Sequence, residues 1–327
     1  MTLDEFQKSG GIEQAEQLFI LNNPSFGKTF DRCIDDSSLR RRIRTWLTRR
    51  LAFPETELFD IPDRDAILYY GSHERKIPGL QFLPGLFEQI SRRRSHRYVL
   101  VFGKGRYDQL PQELIDRMPK NLVRIHAHHA NPGQQRVSYY PVGRDFRSCH
   151  LFDRILPEHE KPRLVYCNFS LNTYALRRQI YADIKDKDFI EFDHMGRWME
   201  YSISRETFFE KLATSRFSIC PRGRRKDTFR LWDSLYLGTI PIVEDKQGFY
   251  QELSDLPILM LDGPEDYKKL EREYLEEKYQ EMLHREWNFE KLKLSHWVSS
   301  IERAAERDGV RTRAEAAHAN DHRDPML

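Results

Sequence analysis

This sequence has no long apolar run. A membrane-crossing helix needs about 18 consecutive apolar residues, and no such stretch occurs among the 327 residues. The N-terminal MTLDEFQKSGGIEQ also lacks the basic start and apolar middle of a secretory signal, so none is expected there. Cysteine is scarce. Cys33, Cys149, Cys167 and Cys220 stand far apart with no CxxC pair. That spacing excludes a disulfide scaffold or a zinc ribbon and leaves free thiols in a reducing, cytoplasmic setting as the expectation. Charge of one sign is missing too: 53 Lys and Arg stand against 51 Asp and Glu, a net +2. A chain so balanced is not a nucleic-acid coat, and any anion binding must come from local clusters. There is no GxxxxGK followed by Ser or Thr, and no GxGxxG after a strand, which argues against a P-loop ATPase and a dinucleotide enzyme.

What is present suffices for two α/β domains. The residues are 39% hydrophobic and 12% aromatic, enough for two ordinary cores. Strands are expected at Ile67–Tyr70, Tyr98–Phe102, Leu122–Ala127 and Arg136–Tyr140, with short helices at Pro84–Ile90 and Gln112–Met118. Upstream, residues 1 to about 55 read as helical and polar. Within them Ser37–Leu51 sets Leu39, Ile43, Trp46, Leu47 and Leu51 at helical spacing among arginines. That is an amphipathic helix with a solvated basic face, or a peripheral membrane contact. A second series follows: strand Leu164–Cys167, helix Tyr174–Ile184, strand Phe189–Phe192, helix Arg205–Ala213, strand Phe217–Cys220, helix Thr228–Tyr236, and strands Thr239–Val243 and Pro257–Leu261. A charged helix over 265–285 and a helix over Trp287–Arg303 close the chain. This alternation predicts a first domain over 1–155 and a second over 156–286. A terminal helix at 287–306 could cross back to the first, and a disordered tail would cover 307–327.

The stretch FSICPRGRRKDTFRLWDSLYLGTIPIVED, Phe217 to Asp245, reads as strand, basic glycine turn, helix, strand. Pro221 and Gly223 break the chain, and Arg222, Arg224, Arg225 and Lys226 crowd the turn. Asp227 is placed to cap the helix that Thr228 opens. A helix start offers free N–H groups and a partial positive charge, so the layout is that of a phosphate site. Arg230 and Asp233, three apart, share a helix face. Glu244 and Asp245, at the next strand's carboxyl end, suit ribose hydroxyls. Arg177 and Arg178 follow the turn residues Asn168, Ser170 and Asn172 and can reach the same anion; Arg178 is preferred. In α/β sheets ligands gather beyond the carboxyl ends of strands. By that rule the first domain offers Asp108 as the foremost general base, with Asp145 and His128 behind it and Asn131 nearby. No metal site is expected. His126, His128, His129 and His150 lack a ligand-spaced acidic or cysteine partner, and Asp63-Arg64-Asp65 and Asp186-Lys187-Asp188 precede apolar segments instead of following a strand.

Cys220-Pro221, Gly223, Arg230 with Asp233, and Gly238-Thr239-Ile240-Pro241 together resemble the donor domain of exostosin-like glycosyltransferases. The passage from Asn168 through Ser170 to Arg178 is similar to another run of that family, and YVLVFGKGRYD and YYPVGRDF look like its acceptor-domain strands. The family usually has Glu where this chain has Asp233. The resemblance implies two Rossmann-like domains facing a cleft, the GT-B architecture. It implies a UDP-sugar donor, a glycan or glycolipid acceptor and inversion at the anomeric carbon; no cofactor is expected, and with no metal motif the arginines would replace a divalent cation. Catalytic roles would fall to Asp108, Arg178 and Arg230. Nucleotide-diphosphate contacts would fall to Arg177, Arg222, Gly223, Arg224, Asp227, Thr228, Asp233, Glu244 and Asp245. A retaining transferase or a sugar-nucleotide epimerase could use the same layout. A non-catalytic sugar-binding module, or a nucleic-acid binder using the arginine runs, fits it less well.

Overall fold

The computed structural model describes residues 1–13, 16–17, 29–30, 32–35, 61–71, 80, 83–103, 110–128, 130–144, 155–193, 203–223 and 225–310. The basic helix expected over Ser37–Leu51, the tail from 311 onward, and Asp108, Asp145, Arg224, His129, Cys149 and His150 lie outside the described residues. The chain divides into two compact units. One comprises Leu21–Pro141 and Trp297–Leu327, the other Met1–Ile20 and Val142–His296. The expected boundary at 155 therefore falls earlier, and the first residues join the second unit. The opening helix α1 (Leu3–Ser9) is fixed by a capping box between Thr2 and Glu5, and Phe6 stacks on Phe289 at 3.9 Å.

The first unit holds a five-stranded parallel sheet in the order β1-β2-β3-β4-β5: β1 (Arg32–Asp35), β2 (Ala66–Gly71), β3 (Tyr98–Phe102), β4 (Leu122–Ala127) and β5 (Val137–Tyr139). Every residue of β3 is buried, as a strand covered on both faces requires. Leu68, Leu100 and Ile125 fall level across β2, β3 and β4, and they pack with Leu86 and Ile90 of α2 (Leu83–Arg92). α3 (Gln112–Asp116) links β3 to β4. Strand β1 corrects the helical reading of residues 1–55. Its four residues are too few to show a period, and they become a strand by parallel pairing with β2.

His126 lies in β4, only 4% exposed, and its Nε2 meets no partner among the described residues. Burial, helped by the nearby Arg124 charge, lowers its pKa from 6.5 to about 3. Between these values the unfolded chain binds the proton and the folded chain does not, so stability falls as pH falls. Lowering the pH from 6.5 to 5 should cost about 2 kcal/mol from this residue. Urea midpoints of the wild type and His126→Phe over that range will show it as a steeper acid loss in the wild type.

From Trp297 on, the last helix belongs to this unit, and it is shifted from its expected bounds. It runs as α8 (Leu294–Arg307), after a 3-10 turn at Phe289–Leu292 and an extended Lys293. Residues 307–310, expected to be disordered, are ordered: Asp308 takes both Arg124 Nε at 2.6 Å and Arg124 Nη2 at 3.0 Å, and Val310 is 1% exposed.

The second unit holds another five-stranded sheet, in the order β10-β9-β8-β6-β7, and every pairing is parallel. Its elements are β6 (Arg163–Cys167), α4 (Leu176–Ile184), β7 (Ile190–Phe192), α5 (Arg205–Ala213), β8 (Ser215–Ile219), α6 (Phe229–Tyr236), β9 (Ile240–Glu244), β10 (Leu259–Leu261) and α7 (Arg272–His284). The single charged helix expected over 265–285 is two pieces, a 3-10 helix at Pro264–Lys269 and then α7. Lys187 Nζ takes the carbonyls of Lys268 and Leu270 at 3.0 and 2.7 Å, so the backbone there bonds outside the helix instead of along it. Lys161 closes the other side. Its buried Nζ donates to Ala213 O at 2.6 Å and Leu237 O at 3.0 Å, joining the ends of α5 and α6, and burial pushes its pKa down to about 7. Gly238 ends α6 with φ 64°. A Cβ there would lie 2.9 Å from Gln7 Cγ, so both the conformation and the contact require glycine.

Candidate active site

The carboxyl edge of the second sheet gathers the charged residues. Arg177, on the first turn of α4, is buried. Its Nε donates to Arg222 O at 2.8 Å, its Nη2 to Pro221 O at 3.0 Å and its Nη1 to Ser170 O at 3.3 Å. It therefore braces the glycine turn from beneath. Gly223 allows this approach, since a Cβ there would stand 3.2 Å from Arg177 Nη2. Burial lowers the Arg177 pKa to about 9, and the positive charge of Arg230 adds to the effect. Arg178 turns outward: it is exposed and donates to Asn172 Oδ1 at 2.6 Å. Of the two, Arg177 and not the preferred Arg178 meets the glycine turn, because one helical step separates a residue facing the turn from one facing solvent.

Arg230 sits on the first turn of α6, half-buried, with its guanidinium 5.8 Å from the Phe208 ring centre. Among the described residues it makes no ion pair, and its Nε has no hydrogen-bond partner. Its charge bears on Tyr166, Cys167, Cys220 and Arg177. Although three apart on the helix, Arg230 and Asp233 do not pair; Asp233 accepts from Arg144 Nε at 3.1 Å. Asp227 is not the helix cap. Its Oδ1 accepts from Trp232 Nε1 at 2.6 Å and its Oδ2 from Val142 N at 2.8 Å. Both oxygens are drawn into the interior, and Thr228 takes the cap position without a side-chain bond to the helix. Thr228 Oγ1 is buried and meets no partner among the described residues. Two polar atoms, Thr228 Oγ1 and Arg230 Nε, therefore stand unmatched at the start of α6.

Glu244 ends β9. It accepts from Arg222 N at 3.2 Å and from Tyr267 OH at 3.0 Å, and burial raises its pKa. Arg222 lies over the Tyr174 ring at 4.5 Å. Asp245 Oδ1 accepts from Phe249 N at 2.6 Å and its Oδ2 from Tyr250 N at 3.0 Å, so it shapes the following loop. Lys226 likewise points away from the turn, to Gln247 Oε1 at 2.9 Å. The basic turn thus presents fewer loose cations than its sequence suggests. Sequence reasoning missed Tyr166, Asp193, Lys211 and Tyr267. Asp193 was within reach of the same carboxyl-end rule that selected Glu244; Tyr267 carries no local signal.

In the first unit, His128 follows β4. A backbone carbonyl can only accept, so the 3.1 Å contact to Tyr140 O places the proton on Nδ1. The two rings pack at 4.2 Å. Asn131 donates its backbone N–H to Gln134 Oε1 at 3.1 Å within a turn. Asp65 accepts from Arg97 N at 2.8 Å and Asp188 from Arg272 at 3.3 Å, so each is used locally. Among the described residues no three His, Cys, Asp or Glu side chains gather as a metal site would. No helix among them is long and apolar enough to cross a membrane.

Comparison with known proteins bears on the second unit. The family model described as the RXYLT1 C-terminal domain matches residues 147–255, about a third of the chain. No curated protein matches the sequence. Among solved structures, an alpha1,3-fucosyltransferase is similar at 10% identity and TM-score 0.44, over 92% of this chain and 94% of that one. An alpha,alpha-trehalose-phosphate synthase (UDP-forming) from Burkholderia xenovorans is similar at 11% identity and TM-score 0.41, over 81% and 78%. The N-terminal domain of a Candida albicans trehalose-6-phosphate phosphatase is similar at 10% identity and TM-score 0.42, over 74% and 70%. The segment matched by the family model begins before β6, ends past β9 and contains the arginine edge just described, so that edge lies in the part of the chain similar to the RXYLT1 C-terminal domain.

Proposed function

We propose that this chain transfers a sugar from a UDP-sugar to a glycan or glycolipid hydroxyl, with inversion at the anomeric carbon and without a divalent metal. The observation that carries the reading is the pair Arg177 and Arg230. Two guanidiniums share one sheet edge closely enough for the charge of one to lower the pKa of the other, and Arg230 has no carboxylate partner among the described residues. Like charges held together this way favour an anion between them. A departing diphosphate is such an anion, and the start of α6 adds its dipole and the unmatched Thr228 Oγ1. The nucleoside end is assigned to the side where Arg222 packs on Tyr174 and Glu244 is held by Tyr267.

On the acceptor hydroxyl, the groups expected to take the proton are Asp108, Asp145 and His128. Of these, His128 lies within the described residues, and its committed Nδ1 makes Nε2 the basic nitrogen. Calorimetric titration with UDP, CDP and GDP, with and without a chelator, tests the donor. Tightest binding is expected for UDP, unchanged by chelation. Binding lost on chelation would sink the metal-free reading, and an NMR assignment of the product anomer decides inversion.

A further inference from the structure

The same edge carries a second polar cluster that the diphosphate does not use. Asp193 is the first residue past β7. Its Oδ1 accepts from Lys211 Nζ at 2.5 Å, and its Oδ2 accepts from Tyr166 OH. Lys211 also reaches Glu191 at 3.2 Å, and Glu191 takes Arg163 Nε at 2.5 Å. Arg163, Glu191, Lys211 and Asp193 thus form a ladder of alternating charge that climbs to the carboxyl end of β7. The Asn168 side chain, just past β6, lies close to both Tyr166 and Asp193. Burial works against the Asp193 charge, but the bonds from Lys211 and Tyr166 outweigh it and hold its pKa below the usual value.

A ladder meant only to tie β7 to α5 would be complete at Lys211. Asp193 extends it past the strand, where ligands of parallel sheets collect. Its place relative to Arg230 follows from one ring. Phe208 lies 5.8 Å from the Arg230 guanidinium and 6.1 Å from the Tyr166 ring. In the strand order β9-β8-β6-β7, Glu244 and Arg222 stand on the β9 and β8 side, and Asn168 and Asp193 on the β6 and β7 side. A nucleotide sugar with its nucleoside at the first pair and its diphosphate at Arg177 and Arg230 directs its sugar toward the second pair.

We infer that Asp193, oriented by Tyr166 and Lys211 and flanked by Asn168, forms the subsite that reads the hydroxyls of the transferred sugar and sets the choice of donor. Each Asp193 oxygen has one protein partner described above and retains acceptor capacity for a sugar hydroxyl. A site built around such a bond strongly disfavours a sugar that lacks it. This assignment rests on the proposed UDP-sugar reading.

The test compares wild type, Asp193→Asn and Tyr166→Phe on UDP-sugars that differ in one hydroxyl configuration or lack the C6 carbon, with UDP as a competitive inhibitor. For Asp193→Asn, kcat/KM for the preferred sugar should fall about 100-fold, with the preference between sugars collapsing and the UDP inhibition constant unchanged within twofold. Tyr166→Phe, which keeps the ring packing, should shift the preference in the same direction by a smaller factor. Equal losses for every sugar, or an unchanged preference in both variants, would overturn the assignment. Failure of UDP to bind the wild type would overturn the donor reading beneath it and is seen separately.

Discussion

Arg230→Lys is expected to lower kcat/KM for the nucleotide sugar by about 100- to 1000-fold, the loss seen when one oxyanion donor is removed. Arg230 stands where a leaving diphosphate would develop charge, half-buried, with Nε unmatched. A lysine keeps the charge but not the planar fork that holds two phosphate oxygens at once. The melting temperature should scarcely change, because among the described residues Arg230 makes no ion pair and its Nε no hydrogen bond. Arg178→Ala is the control. Its guanidinium is spent on Asn172 at the surface, so turnover within about twofold of wild type is expected for a lost exposed contact. Arg177→Ala should behave differently from both. It would release the carbonyls of Ser170, Pro221 and Arg222, loosening the turn as well as removing a charge. Near-normal turnover in Arg230→Lys would detach that residue from the leaving group.

The strand, turn and helix of Phe217–Asp245 were legible because their signals are local: an unbroken apolar run, then Pro221 and Gly223, then a helix stopped by Gly238. The helix Arg205–Ala213 and the strand Leu122–Ala127 match to the residue for the same reason. What could not be read depends on partners distant in the chain. Asp227 has the sequence position of a cap, but the Trp232 indole and the Val142 amide compete for its oxygens and win. Arg177 and Arg178 are equivalent in sequence, and only the packed turn distinguishes them. Strand β1 exists through its pairing with β2, and no four-residue window states that. The domain boundary moved because residues 142–144 are held by Asp227 and Asp233, some ninety positions later.

That last contact carries the largest expected stability effect. Arg144 is 1% exposed and the Asp233 side chain 7%, with Nε to Oδ1 at 3.1 Å. Arg144 Nη1 also donates to Gln17 Oε1 at 2.7 Å, and the guanidinium lies 5.2 Å from the Tyr236 ring centre. Removing one member of a buried pair strands the other charge in a poorly solvated place, so Arg144→Ala should lose about 3–5 kcal/mol in urea unfolding of the intact chain. Removing both charges is a different experiment. Arg144→Met with Asp233→Leu fills similar volume without a lone ion, and most of the stability should return, since apolar replacement of a buried pair is often neutral. A single-variant loss under about 1 kcal/mol, within the range of an exposed pair, would mean that this ion pair does not hold 142–144 to the second unit. Recovery in the double variant would show that the cost lies in the stranded carboxylate and not in the shape of the arginine. The sequence places Asp233 one helical turn from Arg230 and invites their pairing. The fold satisfies Asp233 from behind with Arg144, and that choice leaves Arg230 without a carboxylate among the described residues, open to an incoming anion.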